Sequence, residues 1–174
     1  MRTNHFTAQT ARAFVVAHLG LQGLSAEAGR GHKSVVHVPR EGAAPVVTLR
    51  IRGASETYGW HLKATDYLDL EVKNGCQHFS RKTLTDPDAL YVFVRVASVP
   101  AFYILTEEEI QTLVFQSYTR EGAKRGDKPG QFTRLVKDSP HDMTYDRHLA
   151  SYKVGDSWDK IWVALGITRP AAVA

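Results

Sequence analysis

The chain has 174 residues, 43% of them hydrophobic and 23% charged, with a formal net charge of +4. That balance suits one domain with a sizeable core and permits a polyanionic partner without demanding one. The single cysteine, Cys76, excludes an internal disulfide and a cysteine-built zinc cage. The longest apolar run, Ala89 to Val94, is too short for a membrane span, and the N-terminus carries no signal-peptide core, so a soluble cytoplasmic protein is expected.

Residues Phe6 to Leu21 repeat apolar side chains at three-and-four spacing (Ala11, Phe14, Val15, His18, Leu19), which predicts an amphipathic helix ended by Gly20 and Gly23. Val35 to Val38 reads as a short strand closed by Pro39. Val46 to Arg52 alternates Val47, Leu49 and Ile51 with Thr48, Arg50 and Arg52, so it reads as a strand with one apolar and one polar face, stopped by Gly53. Gly59 to Lys63 reads as another short strand. Asn74-Gly75 predicts a two-residue hairpin turn between Tyr67 to Lys73 and Cys76 to Arg81, because both turn positions need positive φ. Ala89 to Val96 is apolar enough for a central strand buried on both faces, followed by a strand over Ala101 to Leu105. Thr106-Glu107-Glu108-Glu109 is a capping box opening a helix with Ile110, Leu113, Val114 and Tyr118 inward. Near the end, Asp156-Ser157 caps a short helix whose stripe is Trp158, Ile161, Trp162 and Leu165, with both tryptophans read as packing. The expected fold class is α+β: a mixed central sheet flanked by helices, in the order α-β-β-β-β-α with a C-terminal helix.

Charge is unevenly distributed. Arg120, Lys124, Arg125, Lys128, Arg134 and Lys137 face only Glu121 and Asp127, so this stretch alone carries a net +4, equal to the whole chain's excess. Residues 123–142 therefore read as a long basic loop, and with Phe132 and Tyr118 nearby it can grip phosphates and stack on bases. Lys124, Arg125, Lys128, Arg134, Lys137 and, from the earlier strand, Arg52 are the candidate nucleic-acid contacts.

The chemically richest stretch is Tyr67 to Gly75. Alternation puts Asp69, Glu71 and Lys73 on one strand face and Leu68, Leu70 and Val72 toward the core. Two carboxylates beside an amine suit a divalent cation and the anion formed around it; the simpler reading is a solvated face of pairing charges. None of the eight histidines follows a zinc-binding spacing; His78, on the returning strand, is kept as a candidate acid or base. No Gly-x-Ser-x-Gly elbow and no Gly-x-x-x-x-Gly-Lys loop occurs, so neither a serine hydrolase nor a nucleotide triphosphatase is supported.

Taken in order, the helix ending in a Gly-rich turn, the Ala44 to Ile51 strand, Glu71-Val72-Lys73, the Tyr91 to Val94 strand, Phe102 to Glu109 and Trp158-Asp159-Lys160 resemble small bacterial members of the PD-(D/E)XK nuclease superfamily, the restriction-endonuclease-like fold. The resemblance implies a Mg²⁺- or Mn²⁺-dependent endonuclease acting on DNA or RNA. Asp69 and Glu71 would be metal ligands, and Lys73 would stand beside the attacking water. The match is incomplete: Thr48 stands where the family has a metal-binding aspartate, and Arg12 where its first helix often has an acid. Asp69, Glu41 or Glu56 could supply the missing carboxylate. The alternative is a catalytically inactive nuclease-fold protein that binds nucleic acid or a protein partner, with a homodimer among the assemblies; Arg12, Arg50, Arg52 and Lys73 would then hold phosphate rather than metal.

Overall fold

The structure, a computed structural model, describes residues 3–29, 34–39, 46–55, 59–84, 86, 88–122, 133–136, 147–155 and 158–167. It opens with helix α1 (Thr3–Leu21), then strands β1 (Glu27–Ala28), β2 (Val35–Val38), β3 (Val47–Ser55) and β4 (Trp60–Lys63). A single helical turn, α2 (Ala64–Tyr67), leads into β5 (Leu68–Lys73) and β6 (Cys76–Arg81). Next come β7 (Leu90–Val96), β8 (Ala101–Thr106) and α3 (Glu107–Ser117), which runs into a π turn over Tyr118–Gly122. The chain continues with β9 (Thr133–Val136), α4 (Arg147–Ala150), β10 (Lys153–Val154) and α5 (Asp159–Leu165).

Six strands form the central mixed sheet in the order β1-β2-β3-β7-β8-β10. Among the described residues only β3 and β7 run parallel, Leu49 facing Leu90 and Arg50 facing Tyr91. Parallel neighbours need a long crossover, and this one carries β4, α2 and the β5–β6 ribbon. The expected α+β class with helices flanking a mixed sheet is observed.

The sheet separates two apolar layers. On one side Val47, Leu49, Ile51, Val92 and Ile104 pack with Ala11, Val15 and Leu19 of α1, with Trp158 just before α5 and with Ile161 and Leu165 within it. On the other, Tyr91, Phe93, Tyr103 and Leu105 pack with Trp60, Leu62, Tyr67 and the α3 residues Ile110, Leu113 and Val114. Each fully buried aliphatic side chain stabilises by about 1.5–3 kcal/mol relative to exposure, so these layers hold the sheet rigid. Trp158 is completely buried, stacked on His18 with ring centroids 4.4 Å apart.

Local rules explain several elements. Thr106 and Glu109 form the predicted capping box: the Glu109 amide donates to Thr106 Oγ1 at 3.2 Å, and the Thr106 amide donates to Glu109 Oε2 at 2.7 Å. Asn74 and Gly75 have φ of 53° and 75°, as the hairpin turn requires. Gly53 does not stop β3, contrary to expectation; the strand continues to Ser55. α1 lies so close that a Cβ on Gly53 would sit 2.8 Å from both Ala11 Cβ and the Thr7 carbonyl oxygen, so glycine here is a seat for the helix. Trp158 occupies the N-cap position of α5 with no side-chain cap bond; Asp156 and Ser157, expected to cap it, lie outside the described residues. Within the expected basic loop, Thr133–Val136 pairs as β9 with β4, which puts Arg134 opposite Leu62.

Candidate functional site

The β5–β6 ribbon keeps the predicted alternation but not the predicted setting. It is a separate two-stranded sheet, with no ladder to β3 or β7. Leu68 and Phe79 anchor its base, Phe79 meeting Tyr118 edge to face with centroids 4.8 Å apart. Beyond them the ribbon stands in solvent. Leu70 and Val72, expected in the core, are 37% and 67% exposed. Period-two spacing determines which side chains share a face; it does not supply a layer to cover them.

Asp69, Glu71 and Lys73 do share one face, opposite Ser80, His78 and Cys76. Their charges are largely satisfied within the ribbon. Lys73 Nζ lies 2.6 Å from Glu71 Oε2, and Ser80 Oγ donates to Glu71 Oε1 at 2.5 Å. The bond from Lys73, helped by Ser80, holds the Glu71 carboxyl below the usual carboxylate range. Asp69 is exposed and faces a serine rather than a second acid. Thr48 belongs to the central sheet, opposite His37, so β5 does not bring Asp69 or Glu71 beside it through strand pairing. Among the described residues no three His, Cys, Asp or Glu side chains gather as a metal cluster. A divalent ion at Asp69 and Glu71 would have to displace Lys73 and Ser80 in solvent-exposed surroundings.

The denser constellation is on the polar face of β3. Alternation puts Thr48, Arg50 and Arg52 there, all half-buried, while Leu49 and Ile51 enter the α1 layer. The parallel register brings Tyr91 beside Arg50, and Arg50 Nη1 donates to Tyr91 Oη at 2.9 Å. α2 buries Ala64 and Tyr67 three residues apart, as one helical turn dictates, which delivers Tyr67 to the next arginine. Arg52 Nη2 donates to Tyr67 Oη at 2.8 Å. The two phenol rings pack at 5.9 Å, and Trp60 Nε1 donates to the Arg52 carbonyl oxygen at 2.9 Å, fixing the strand beneath.

Electrostatically this face is the reverse of the ribbon. No ion pair joins Arg50 or Arg52 to a carboxylate among the described residues. Burial pushes the Tyr67 phenol up to about 12, against the pull of Arg52, so it stays protonated at neutral pH. A phenol that accepts a bond from a guanidinium still has its own O–H to donate. Among the described residues the sheet's strands contain one acid, Glu27 at the far edge, against Arg50, Arg52, Arg95 and Lys153.

Of the cations expected to cluster, the structure brings together Arg50 and Arg52 only. Arg12 is on α1, the helix packed on the opposite side of the sheet, and Lys73 is near the ribbon turn. Tyr67 and Tyr91 were missed as site residues. The parallel pairing of Arg50 with Tyr91 had no local signal, and a single-turn helix such as α2 leaves almost none. Lys124, Arg125, Lys128, Lys137, Glu41 and Glu56 lie outside the described residues. A groove of about 580 Å³ at α5 is bordered by Leu90, Thr106, Val163 and Lys160. Its lysine serves the fold: Lys160 Nζ donates to Glu109 Oε1 at 2.7 Å and to the Ile104 carbonyl oxygen at 3.1 Å, tying α5 to the α3 cap.

No protein-family model, curated protein or solved structure matches this chain. Among the described residues no helix is long and apolar enough to cross a membrane.

Proposed function

We propose that the chain is a binding protein of restriction-endonuclease-like architecture that holds nucleic acid without cutting it. The observation that carries this reading is the charge on the central sheet: half-buried arginines at Arg50 and Arg52, backed by phenols, where metal-dependent hydrolysis would call for carboxylates. The order of elements supports the architecture: α1, the antiparallel β2–β3 pair, β7 returning parallel to β3, then β8 and α3. Guanidiniums suit phosphodiester oxygens because their fork donates two parallel bonds and stays charged at any working pH. The basic stretch from Arg120 to Lys137, net +4 in the sequence, adds attraction for the phosphate backbone by charge alone.

Fluorescence anisotropy with labelled single- and double-stranded DNA and RNA, across rising salt, tests this. Binding that weakens log-linearly with salt, without added divalent ions, is expected. Binding to none of the four would overturn the proposal. So would Mg²⁺- or Mn²⁺-dependent cleavage lost in Glu71→Gln, which would restore the ribbon as a metal centre with Asp69, Glu71 and Lys73 in the roles the resemblance implies.

A further inference from the structure

We infer that Arg50, Arg52, Tyr67 and Tyr91 form a cradle for a phosphomonoester, the doubly charged terminal phosphate of a strand or a small molecule. The inference rests on the anion-binding reading of this face and names the group recognised there.

The donor inventory leads to it. Two guanidiniums carry ten N–H groups, and the side-chain bonds described within the cluster use one on Tyr91 and one on Tyr67. The phenols then offer two further O–H donors. None of the four side chains is left with a charged acceptor, and among the described residues no carboxylate pairs with either arginine. A half-buried pair of positive charges made only of donors is complementary to a group made only of acceptors.

Geometry and charge narrow the choice. Arg50 and Arg52 are two residues apart on one strand face, so their Cα atoms are about 6.6 Å apart, close enough for both forks to converge on one group. A carboxylate offers two oxygens and one charge. A diester phosphate likewise has two free oxygens and one charge. A phosphomonoester has three terminal oxygens and nearly two charges at neutral pH, matching two forks and two hydroxyls. The phenols are buried and the guanidiniums half-exposed, so a ligand arriving from solvent meets the guanidiniums first. Each guanidinium also lies near a ring, Arg50 Cζ at 5.4 Å from the Tyr91 centroid and Arg52 Cζ at 5.8 Å from that of Tyr67, which limits its rotation before any ligand arrives.

Isothermal titration calorimetry on the full chain tests the cradle with inorganic phosphate, with diethyl phosphate, and with one oligonucleotide bearing or lacking a terminal phosphate. Inorganic phosphate should bind one per chain and diethyl phosphate at least about tenfold more weakly. Arg50→Lys and Arg52→Lys keep the charge but lose the fork, and should each weaken phosphate about tenfold. Tyr67→Phe and Tyr91→Phe should weaken it by a smaller factor, with circular dichroism confirming the fold of every variant. A terminal phosphate that strengthens oligonucleotide binding in the wild type but not in Arg52→Lys identifies a strand end as the source; Arg-dependent binding of free phosphate with no oligonucleotide bound supports the cradle and sinks the nucleic-acid proposal. Oligonucleotides that bind equally with and without the end phosphate, together with phosphate that binds folded Arg50→Lys and Arg52→Lys as well as wild type or not at all, overturn the cradle and leave nucleic-acid binding standing.

Discussion

The ribbon and the polar face of β3 use the same device, charged residues at every second position of a strand, and arrive at opposite chemistry. On the ribbon, Asp69, Glu71 and Lys73 project into water, where Glu71 is already bonded to Lys73 and Ser80. On β3, Arg50 and Arg52 project against an aromatic wall and bond to phenol oxygens rather than to carboxylates. What surrounds an alternating strand therefore decides whether its charges neutralise one another or await a partner. Exposed pairs contribute little because water and salt screen them, whereas half-buried guanidiniums keep their electrostatic reach.

The contrast breaks most sharply under charge removal. Replacing both Arg50 and Arg52 with alanine should weaken nucleic-acid binding about a thousandfold, taking roughly 2 kcal/mol for each charge-assisted contact. The slope of log K against log salt should fall by about two; anisotropy over a salt series measures both. Next in size is an alkaline effect confined to β3. The Tyr67 phenol is raised from 10 to about 12 in the fold. Its contribution is thus complete below pH 10 and is lost as pH rises toward 12, up to about 3 kcal/mol. Denaturant unfolding of wild type and Tyr67→Phe across that window should show a loss larger in the wild type by this amount.

A smaller effect probes the sheet's seat under α1. Gly53→Ala would press a methyl onto Ala11 and the Thr7 carbonyl, and should cost about 2 kcal/mol in chemical denaturation. The ribbon should respond least. Glu71→Gln and Lys73→Ala should leave the thermal midpoint near wild type, because the pair is exposed. The Glu71 carboxyl is lowered in the fold, so whatever it contributes is present above the ordinary carboxylate pKa and disappears only as pH falls below it. A large drop in stability at neutral pH for either variant would mean that the ribbon supports the fold.

Much of the fold was legible because the signals were local. The capping box at Thr106 and Glu109, the Asn74-Gly75 turn and the tryptophan stripe of α5 each follow from a few adjacent residues. The apolar run at β7 announced a central strand buried on both faces. What escaped was the arrangement of pieces. Leu68, Leu70 and Val72 have the pattern of a half-buried strand, yet the connection between β3 and β7 swings that strand out of the central sheet. Gly53 reads as a stop in sequence, but its missing side chain makes room for a helix. Half of the β3 cluster was visible as Arg50 and Arg52. Tyr91 and Tyr67 were not, since one depends on parallel register and the other on a single helical turn far along the chain.

Whether partner chemistry belongs to β3 or to the ribbon is decided by amide chemical-shift mapping during titration with a phosphorylated oligonucleotide. Saturable shifts are expected at Arg50, Arg52, Tyr67 and Tyr91, with Asp69, Glu71 and Lys73 unmoved. Shifts confined to Asp69 through His78, with Arg50 and Arg52 silent, would contradict it.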